Sequence, residues 1–394
     1  MNPRLRSASA LVLAACLAAR GARAETNPGV TAAPILQMPL GARAVGMGGA
    51  FTGVADDASA LYHNPAGLSN LTHREVTFMY LKSFSDQNVE FIAAATPLQL
   101  PGFIGDGYTA LGTSVLFSQN GTIEVNRTNA GGQLIGTQSL SAGSDFVASF
   151  GYSERIAHFE IPTKNEDVTF HHYMGIGTKW IRSTLAEQYS ASTFAADFGY
   201  FVRVPEWRTT AGFALQNLGG DLTFIESGDP LPLTLAGGFA FDPALPDSIL
   251  TRRDTALLIA VDGEYLSRER QWQADVGVEY SLLRRHAVRL GYRLNRDAIG
   301  LTFGFGTAWN GIEIDYAWGL TSALSDTHRF SFTYRFGRVA AQKREMKQRP
   351  FIERMPDREE LRGIEEQTPV PVDPPKRRPR REPRGQGAAP GWIY

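Results

Sequence analysis

The residues in this sequence most suggestive of chemistry lie near its start. Gly46-Met47-Gly48-Gly49-Ala50 resembles a phosphate-cradling loop, and Asp56-Asp57 resembles the opening of a calcium site. Neither pattern is complete. A dinucleotide loop needs a third glycine at fixed spacing and a strand before it, and both are missing. A calcium loop alternates oxygen ligands along the chain, and no such series follows Asp57. His171 and His172 are adjacent on a predicted strand, so they point to opposite faces and cannot share one metal. His63, His158, His286 and His328 are scattered without zinc spacing. The sequence therefore predicts no cofactor, no metal and no catalytic residue. A hydrolase whose Ser-His-acid set assembles only in three dimensions is the enzymatic alternative.

The same glycines and aspartates have a structural reading. Residues 40–68 are too rich in small residues for a membrane strand and end in an Asn64-Pro65 break. Glycine allows positive φ and close backbone approach, which suits Gly46, Gly48 and Gly49 to packing against a wall. Asp56 or Asp57 is placed to cap a short helix through Leu61. Pro65 would end that helix, because the residue before proline avoids helical geometry. Asn64, Pro65 and Ala66 either gate something or turn the chain into its first strand; both readings stand. If the segment lies inside a barrel, its buried amides need partners from inward-facing polar side chains.

The surrounding elements fit that picture. Residues 1–24 read as a signal peptide: Arg4 and Arg6, an apolar centre from Ala8 to Ala19, and Ala22-Arg23-Ala24 as the cleavage site. A lipoprotein site at Cys16 is the alternative. Cys16 is the only cysteine, so a disulfide framework is excluded. No apolar run reaches the roughly 20 residues of a spanning helix. From Glu75 onward, period-two alternation predicts about 14 strands. They fall near 75–82, 88–96, 108–118, 144–154, 168–182, 192–203, 208–216, 231–241, 254–265, 271–280, 286–294, 298–306, 310–318 and 328–336. With the amino terminus on the periplasmic side, Pro205-Glu206-Trp207 and residues 307–310 would be short inner turns. The long loop 119–143 would form a projecting hairpin outside.

Two details point to lipid. In residues 330–336, Phe330, Phe332, Tyr334 and Phe336 share one face, with Ser331, Thr333 and Arg335 on the other, the pattern of a membrane strand. Trp180, Trp272 and Trp318 fall at predicted outer strand ends, and Trp207 and Trp309 at inner ends, where indoles favour the interface. Charge is divided unevenly: residues 25–336 carry about −10 and residues 337–394 about +5. The tail is proline-rich and basic, reads as disordered, and would meet solvent or an acidic periplasmic partner. Nucleic acid is excluded as a partner by compartment.

The stretch 40–68, together with Gln216-Asn217-Leu218-Gly219, Pro230-Leu231-Pro232-Leu233-Thr234, Gly277-Val278-Glu279-Tyr280, Arg289-Leu290-Gly291-Tyr292 and Thr327-His328-Arg329-Phe330-Ser331, resembles the PorV/PorQ family within the FadL/TodX-type barrel group. The resemblance covers roughly residues 30–337. It implies an all-β fold: an antiparallel outer-membrane barrel of about 14 strands with an amino-terminal hatch in the lumen. FadL-type relatives pass fatty acids or aromatic hydrocarbons and release them through a wall opening. PorV relatives serve type IX secretion and receive cargo proteins. The expected organisation is a signal peptide (1–24), a hatch (25–72), a barrel (73–337) and a periplasmic tail (338–394). The expected function is passage or binding of a hydrophobic small molecule. A cargo-binding secretion component and a structural barrel anchored by its tail are the alternatives.

Overall fold

The computed structural model describes residues 29–337 apart from 84–85, 99, 106–107, 163–166, 244–254, 284, 296–298 and 322–325. The signal-peptide reading, with Cys16, and the tail 338–394 lie outside the described residues. Eighteen strands follow one another: β1 (Arg74–Lys82), β2 (Gln87–Leu98), β3 (Thr109–Asn120), β4 (Thr122–Thr128), β5 (Leu134–Ser141), β6 (Gly143–Pro162), β7 (Asp167–Leu185), β8 (Tyr189–Val204), β9 (Thr209–Gly219), β10 (Leu222–Thr223), β11 (Gly228–Asp229), β12 (Thr234–Phe241), β13 (Ala256–Leu266), β14 (Gln271–Leu282), β15 (His286–Leu294), β16 (Ile299–Trp309), β17 (Ile312–Thr321) and β18 (Thr327–Phe336). Fourteen of them close an antiparallel barrel, β1 pairing with β18, while β4–β5 and β10–β11 form separate two-stranded sheets.

The alternation that predicted the strands sets their faces. Along β18 the odd positions from Thr327 to Thr333 are buried in the lumen, and Phe330, Phe332, Tyr334 and Phe336 point outward. Exposed aromatics and aliphatics recur around the wall, Phe150, Ile176, Phe213, Phe239, Leu290 and Phe305 among them. That is the surface a closed barrel presents to hydrocarbon.

All fourteen predicted strands are present, with three local differences. β16 continues through Trp309, and the turn that follows is Asn310-Gly311, both at positive φ (49° and 78°), as a tight two-residue hairpin requires. β12 starts at Thr234 rather than 231, because Pro232 has no N–H for the ladder. β6 runs past its predicted lower end, to Pro162, and β7 past its predicted upper end, to Leu185. The loop 119–143 does form a hairpin, β4–β5, and the end of the barrel that carries it is called the upper end below.

Residues 29–72 fill the lumen and thread it from top to bottom. Near the upper end, Ala32 N donates to Pro230 O at 2.9 Å, and Thr31 and Gln37 donate to Glu269 in the β13–β14 turn at 2.9 and 2.7 Å. The described residues thus begin beside the long loops; the amino terminus itself lies outside the described residues. Ala32, Ile35 and Leu36 pack there against Leu222 and Leu231, and this apolar contact holds the entry. The hatch then leaves by Leu71 and Thr72 into the lower end of β1.

Glycines in mid-strand let the hatch backbone touch the wall. A Cβ on Gly175 or Gly199 would run into Pro65 and Ala66, on Gly212 into Thr52, on Gly238 into Gly53, and on Gly291 into Met47 and Gly48. Several are cross-strand partners, Gly175 with Gly199, Gly212 with Gly238 and Gly277 with Gly291, so they form a belt at the level of the hatch. Gly212→Val and Gly291→Val should each destabilise the protein by about 1–3 kcal/mol, the usual cost of overpacking. They should also render residues 40–68 protease-sensitive while the barrel stays closed. Gly263→Val, where a Cβ meets nothing within 4 Å, should do neither; limited proteolysis with gel mobility of unheated samples reads both.

Candidate functional site

The hatch is built from short turns whose polar groups are matched by the wall. Helical turns cover Ala42–Gly46 and Ala60–His63, with 3-10 turns over Pro34–Gln37 and Pro65–Asn70. Asp262 accepts the amides of Phe51 (2.8 Å) and Thr52 (2.6 Å), and Thr210 donates to Gly53 O at 2.6 Å. Gln216 donates to Tyr62 O and His63 O at 3.0 and 2.6 Å, and Ser153 to Ala66 O at 2.9 Å. These are the partners that buried amides and carbonyls demand.

The eight residues singled out from the sequence come to different places. Gly48 and Gly49 have φ of 74° and 100°; Gly48 lies against the β14 and β15 backbones and Gly49 against Asp275. Gly46 closes a helical turn and lies against Gly304. Neither aspartate caps the Ala60–His63 turn, whose N-cap is Ser59 without a side-chain cap: Asp57 accepts from Ser59 N at 2.8 Å, one residue before the turn, and Asp56 turns away to Arg43 at 2.5 Å. The turn stops before Pro65, with Asn64 extended at φ −156° and ψ 101°. Asn64 is fully buried, its Nδ2 donating to Thr52 O and Tyr200 O and its Oδ1 accepting from Ala66 N, all at 3.2 Å. Pro65 and Ala66 lie in the 3-10 turn against Gly175 and Gly199, so Asn64-Pro65 opens a buried helical turn before the chain reaches β1.

What the sequence reading missed is the charge inside. Arg43 pairs with Asp56 and, at 2.9 Å, with Glu279 on β14. Glu279 also takes Arg289 on β15 at 2.6 Å, and Arg289 reaches Asp315 (2.6 Å) and Glu313 (3.8 Å) on β17. Glu313 pairs with Arg335 at 2.5 Å, and Arg335 with Glu75 across the β1–β18 junction. Glu75 then accepts Ala58 N of the hatch at 2.9 Å. The circuit begins at Asp56 and ends at Ala58, clasping that loop from two sides. Burial opposes the charge on Arg43, but Asp56 and Glu279 outweigh it and hold its pKa well above the ordinary value. In the sequence these residues were merely the polar members of alternating strands.

A second polar knot lies where β9 bulges against β8, the pairing slipping between Ala196 and Phe198. Asn217, at φ 62°, and Gln216 both turn inward as a result. Lys179 donates to Asn217 at 2.7 Å and pairs with Asp197 at 2.7 Å, and Asn217 donates to Pro232 O at 3.1 Å. The Gln216-Asn217-Leu218-Gly219 and 230–234 motifs thus meet at one point. Above it a cleft of about 20 Å³ opens between Gln37, Thr52, His63, Thr234 and Glu264, room for about one water. Among the described residues no group of three or more His, Cys, Asp or Glu is set to hold a metal ion.

The upper half of the inner wall is apolar on one side. Met79 and Leu81 of β1, Val89 and Phe91 of β2, Leu116 of β3, Val147 of β6 and Ile181 of β7 face inward and are buried with Leu36 and Leu40 of the hatch. The circuit of charge occupies β14, β15, β17, β18 and the lower end of β1, where Glu75 lies. The hatch therefore rests on hydrocarbon on one flank and is pinned by ions on the other.

Comparison with known proteins adds the following. The model of the uncharacterised protein family UPF0164 matches residues 8–200. Two UPF0164 proteins of Treponema pallidum (strain Nichols) are each 40% identical over 55 residues, which is 14% of this chain. The match spans only 17% and 14% of the length of those relatives. Among solved structures, the P. putida toluene transporter TodX aligns with 13% identity and a TM-score of 0.46, covering 76% of this chain and 99% of that one. A Pseudomonas aeruginosa FadL homologue aligns with 10% identity and a TM-score of 0.38, covering 75% and 98%.

Two outcomes follow from the site. Arg289→Met leaves Asp315 in the lumen without its arginine and takes one of two arginines from Glu279 and from Glu313, and should destabilise the protein by about 3–5 kcal/mol, as loss of one partner from a buried ion pair does. Adding Asp315→Asn, which removes the charge left alone, should recover part of that loss in urea unfolding. His63 is the second. Burial lowers its pKa from 6.5, opposed mainly by its bond to Leu40 O at 2.9 Å. The unfolded chain then takes up its proton before the hatch does, so this contribution is intact above pH 6.5 and is lost as pH falls below it. Protease access to the hatch should rise between pH 7.5 and 5, and His63→Gln should flatten that dependence.

Proposed function

We propose that this protein is an outer-membrane barrel that binds and admits a hydrophobic small molecule through the upper half of its lumen. The observation that carries this reading is the apolar inner wall formed by Met79, Leu81, Val89, Phe91, Leu116, Val147 and Ile181. A lumen meant for water is lined by polar side chains. Here an apolar strip faces inward near the upper mouth, covered by the segment that carries Ile35, Leu36 and Leu40. With a cleft of about 20 Å³ between hatch and wall, this arrangement reads as a closed path, and the ligand takes the place of residues 30–38. The charged circuit stays fixed meanwhile and keeps Asn64, Pro65 and Ala66 seated. The resemblance of residues 40–68 to FadL-type hatches supports the same reading, as does the outward aromatic surface for a place in the outer membrane among lipid partners.

One feature favours a second reading, a cargo-binding role in protein secretion of the PorV kind. The β4–β5 hairpin projects from the upper end with Leu134 and Ile135 62% and 65% exposed, an open edge that another chain would extend.

The deciding experiment is extraction of the purified barrel for bound apolar molecules by mass spectrometry, with uptake of a fluorescent fatty acid by proteoliposomes. Deletion of residues 30–38 should raise uptake several-fold, and Phe91→Asp with Leu116→Asp should abolish it. Absence of bound lipid together with uptake indifferent to both changes would sink the transport reading. A protein co-purifying with the wild type and lost on deletion of 122–141 would favour the second.

A further inference from the structure

One glutamate of the barrel wall points outward, toward the side that faces hydrocarbon. On β6, Val147, Ser149 and Ser153 are buried in the lumen, so the alternate positions Phe150, Tyr152 and Glu154 lie on the outer face. Phe150 is exposed there, as is Met174, the cross-strand partner of Glu154 on β7. Trp180, paired with Ala148, marks the upper interface on this side of the barrel. Glu154 lies about six residues further down, roughly 15 Å in depth at the usual strand tilt, within an apolar band about 25 Å tall. A carboxylate turned to hydrocarbon is unfavourable unless it is covered and hydrogen-bonded.

The loop after β2 covers it. Glu154 is buried, and it accepts Phe103 N at 2.6 Å, Ile104 N at 2.9 Å and the Tyr152 hydroxyl at 2.7 Å. Two consecutive loop amides are thereby satisfied, as backbone next to hydrocarbon requires. Gly102 and Gly105 bring the loop down onto β6: a Cβ on the first would strike Glu154, and on the second Arg155 O. The Phe103 ring meets the outward Tyr152 edge-on, with centroids 5.4 Å apart. The loop therefore folds up against the outside of the barrel. Its two apolar side chains nevertheless stay open, Phe103 being 90% and Ile104 75% exposed. No other large apolar side chain among the described residues is as exposed, and both continue the outward surface of Phe150, Met174 and Ile176.

We propose that residues 100–105 form a lipid anchor at the lower end of the barrel. Glu154 seats the loop through its amides, and Phe103 and Ile104 enter the acyl chains of the adjacent leaflet. The same contact shields the carboxylate from those chains, so each half of the arrangement accounts for the other. The anchor requires the outer-membrane placement proposed above and is independent of what the lumen carries.

The test places a nitroxide on the full chain, with Cys16→Ser removing its only cysteine, in vesicles of palmitoyl-oleoyl phosphatidylcholine. Spin relaxation then compares collision with oxygen, which concentrates in lipid, and with a nickel chelate, which stays in water. Labels on Phe103→Cys and Ile104→Cys should favour oxygen several-fold, as should a label on the outward wall at Phe213→Cys. A label on Gly136→Cys, in the β4–β5 hairpin, should favour nickel. Glu154→Val, which removes the acceptor of both amides, should raise nickel access at position 104 several-fold and leave position 213 unchanged. Glu154→Gln, which keeps an acceptor oxygen, should raise it less. If Glu154→Val does not give a closed barrel, Gly105→Val replaces it with the same expectation, since its side chain would drive the loop off β6. Nickel access at 103 and 104 equal to that of the hairpin, or indifferent to the variant used, overturns the proposal. Protection from both reagents, which reports a protein cover, overturns it too. Nickel access at position 213 as well overturns the membrane placement, and the anchor with it.

Discussion

A closed ring of fourteen strands leaves a lumen too wide for its own inward side chains to fill, and the structure depends on how residues 29–72 fill it. A plug in that position has to satisfy its backbone without bulk water and still lie close to the wall. The two demands pull apart, since side chains long enough to bond the plug also hold it away. The protein meets both by alternating roles along each strand. Glycine allows backbone contact at one level, as at Gly199 and Gly291. A polar side chain such as Asp262, Thr210 or Gln216 then reaches the hatch amides and carbonyls from the neighbouring position.

The two flanks of the hatch are held by forces that respond differently. Apolar contact between Leu36 or Leu40 and the β1–β7 wall is non-directional and survives sliding. The Arg43–Glu279–Arg289 arrangement is directional and short-ranged, and a small displacement strands its charges. Any rearrangement that leaves the barrel intact is therefore easier on the hydrocarbon flank, with the Asp56–Ala58 loop as the fixed point. The upper segment, tied by single bonds to Glu269 and Pro230, is the part with least to lose.

Much of this fold was legible from residue order alone. Period-two alternation placed every barrel strand because inside and outside differ so sharply in chemistry. The aromatic face of residues 330–336 is the plainest case. The hatch was visible as a stretch of small residues ending at Asn64-Pro65. Its attachments were not. Arg43 and Glu279 are separated by 236 residues, and nothing in the local sequence distinguishes a luminal glutamate that pairs from one that is solvated. Mid-strand glycines such as Gly175, Gly212 and Gly277 carried a signal, since glycine inside a strand marks close backbone approach, but its target appears only once the strands are in register. The placement of residues 31–37 at the upper end was likewise hidden, because Ala32 and Leu36 look the same whichever end they pack against.

The pair Arg335–Glu75 crosses the junction between the first and last barrel strands, and the same Glu75 holds Ala58 of the hatch. The groups that zip the ring shut are therefore also the groups that seat its contents. Seating the plug and closing the seam become thermodynamically coupled steps, each more favourable once the other has occurred. A ring that closes empty leaves Glu75 without the Ala58 amide. A hatch folded beside an open sheet lacks one of its two clasps. The coupling is thus written into a single carboxylate: a barrel of this sequence is most stable when it is closed around residues 29–72.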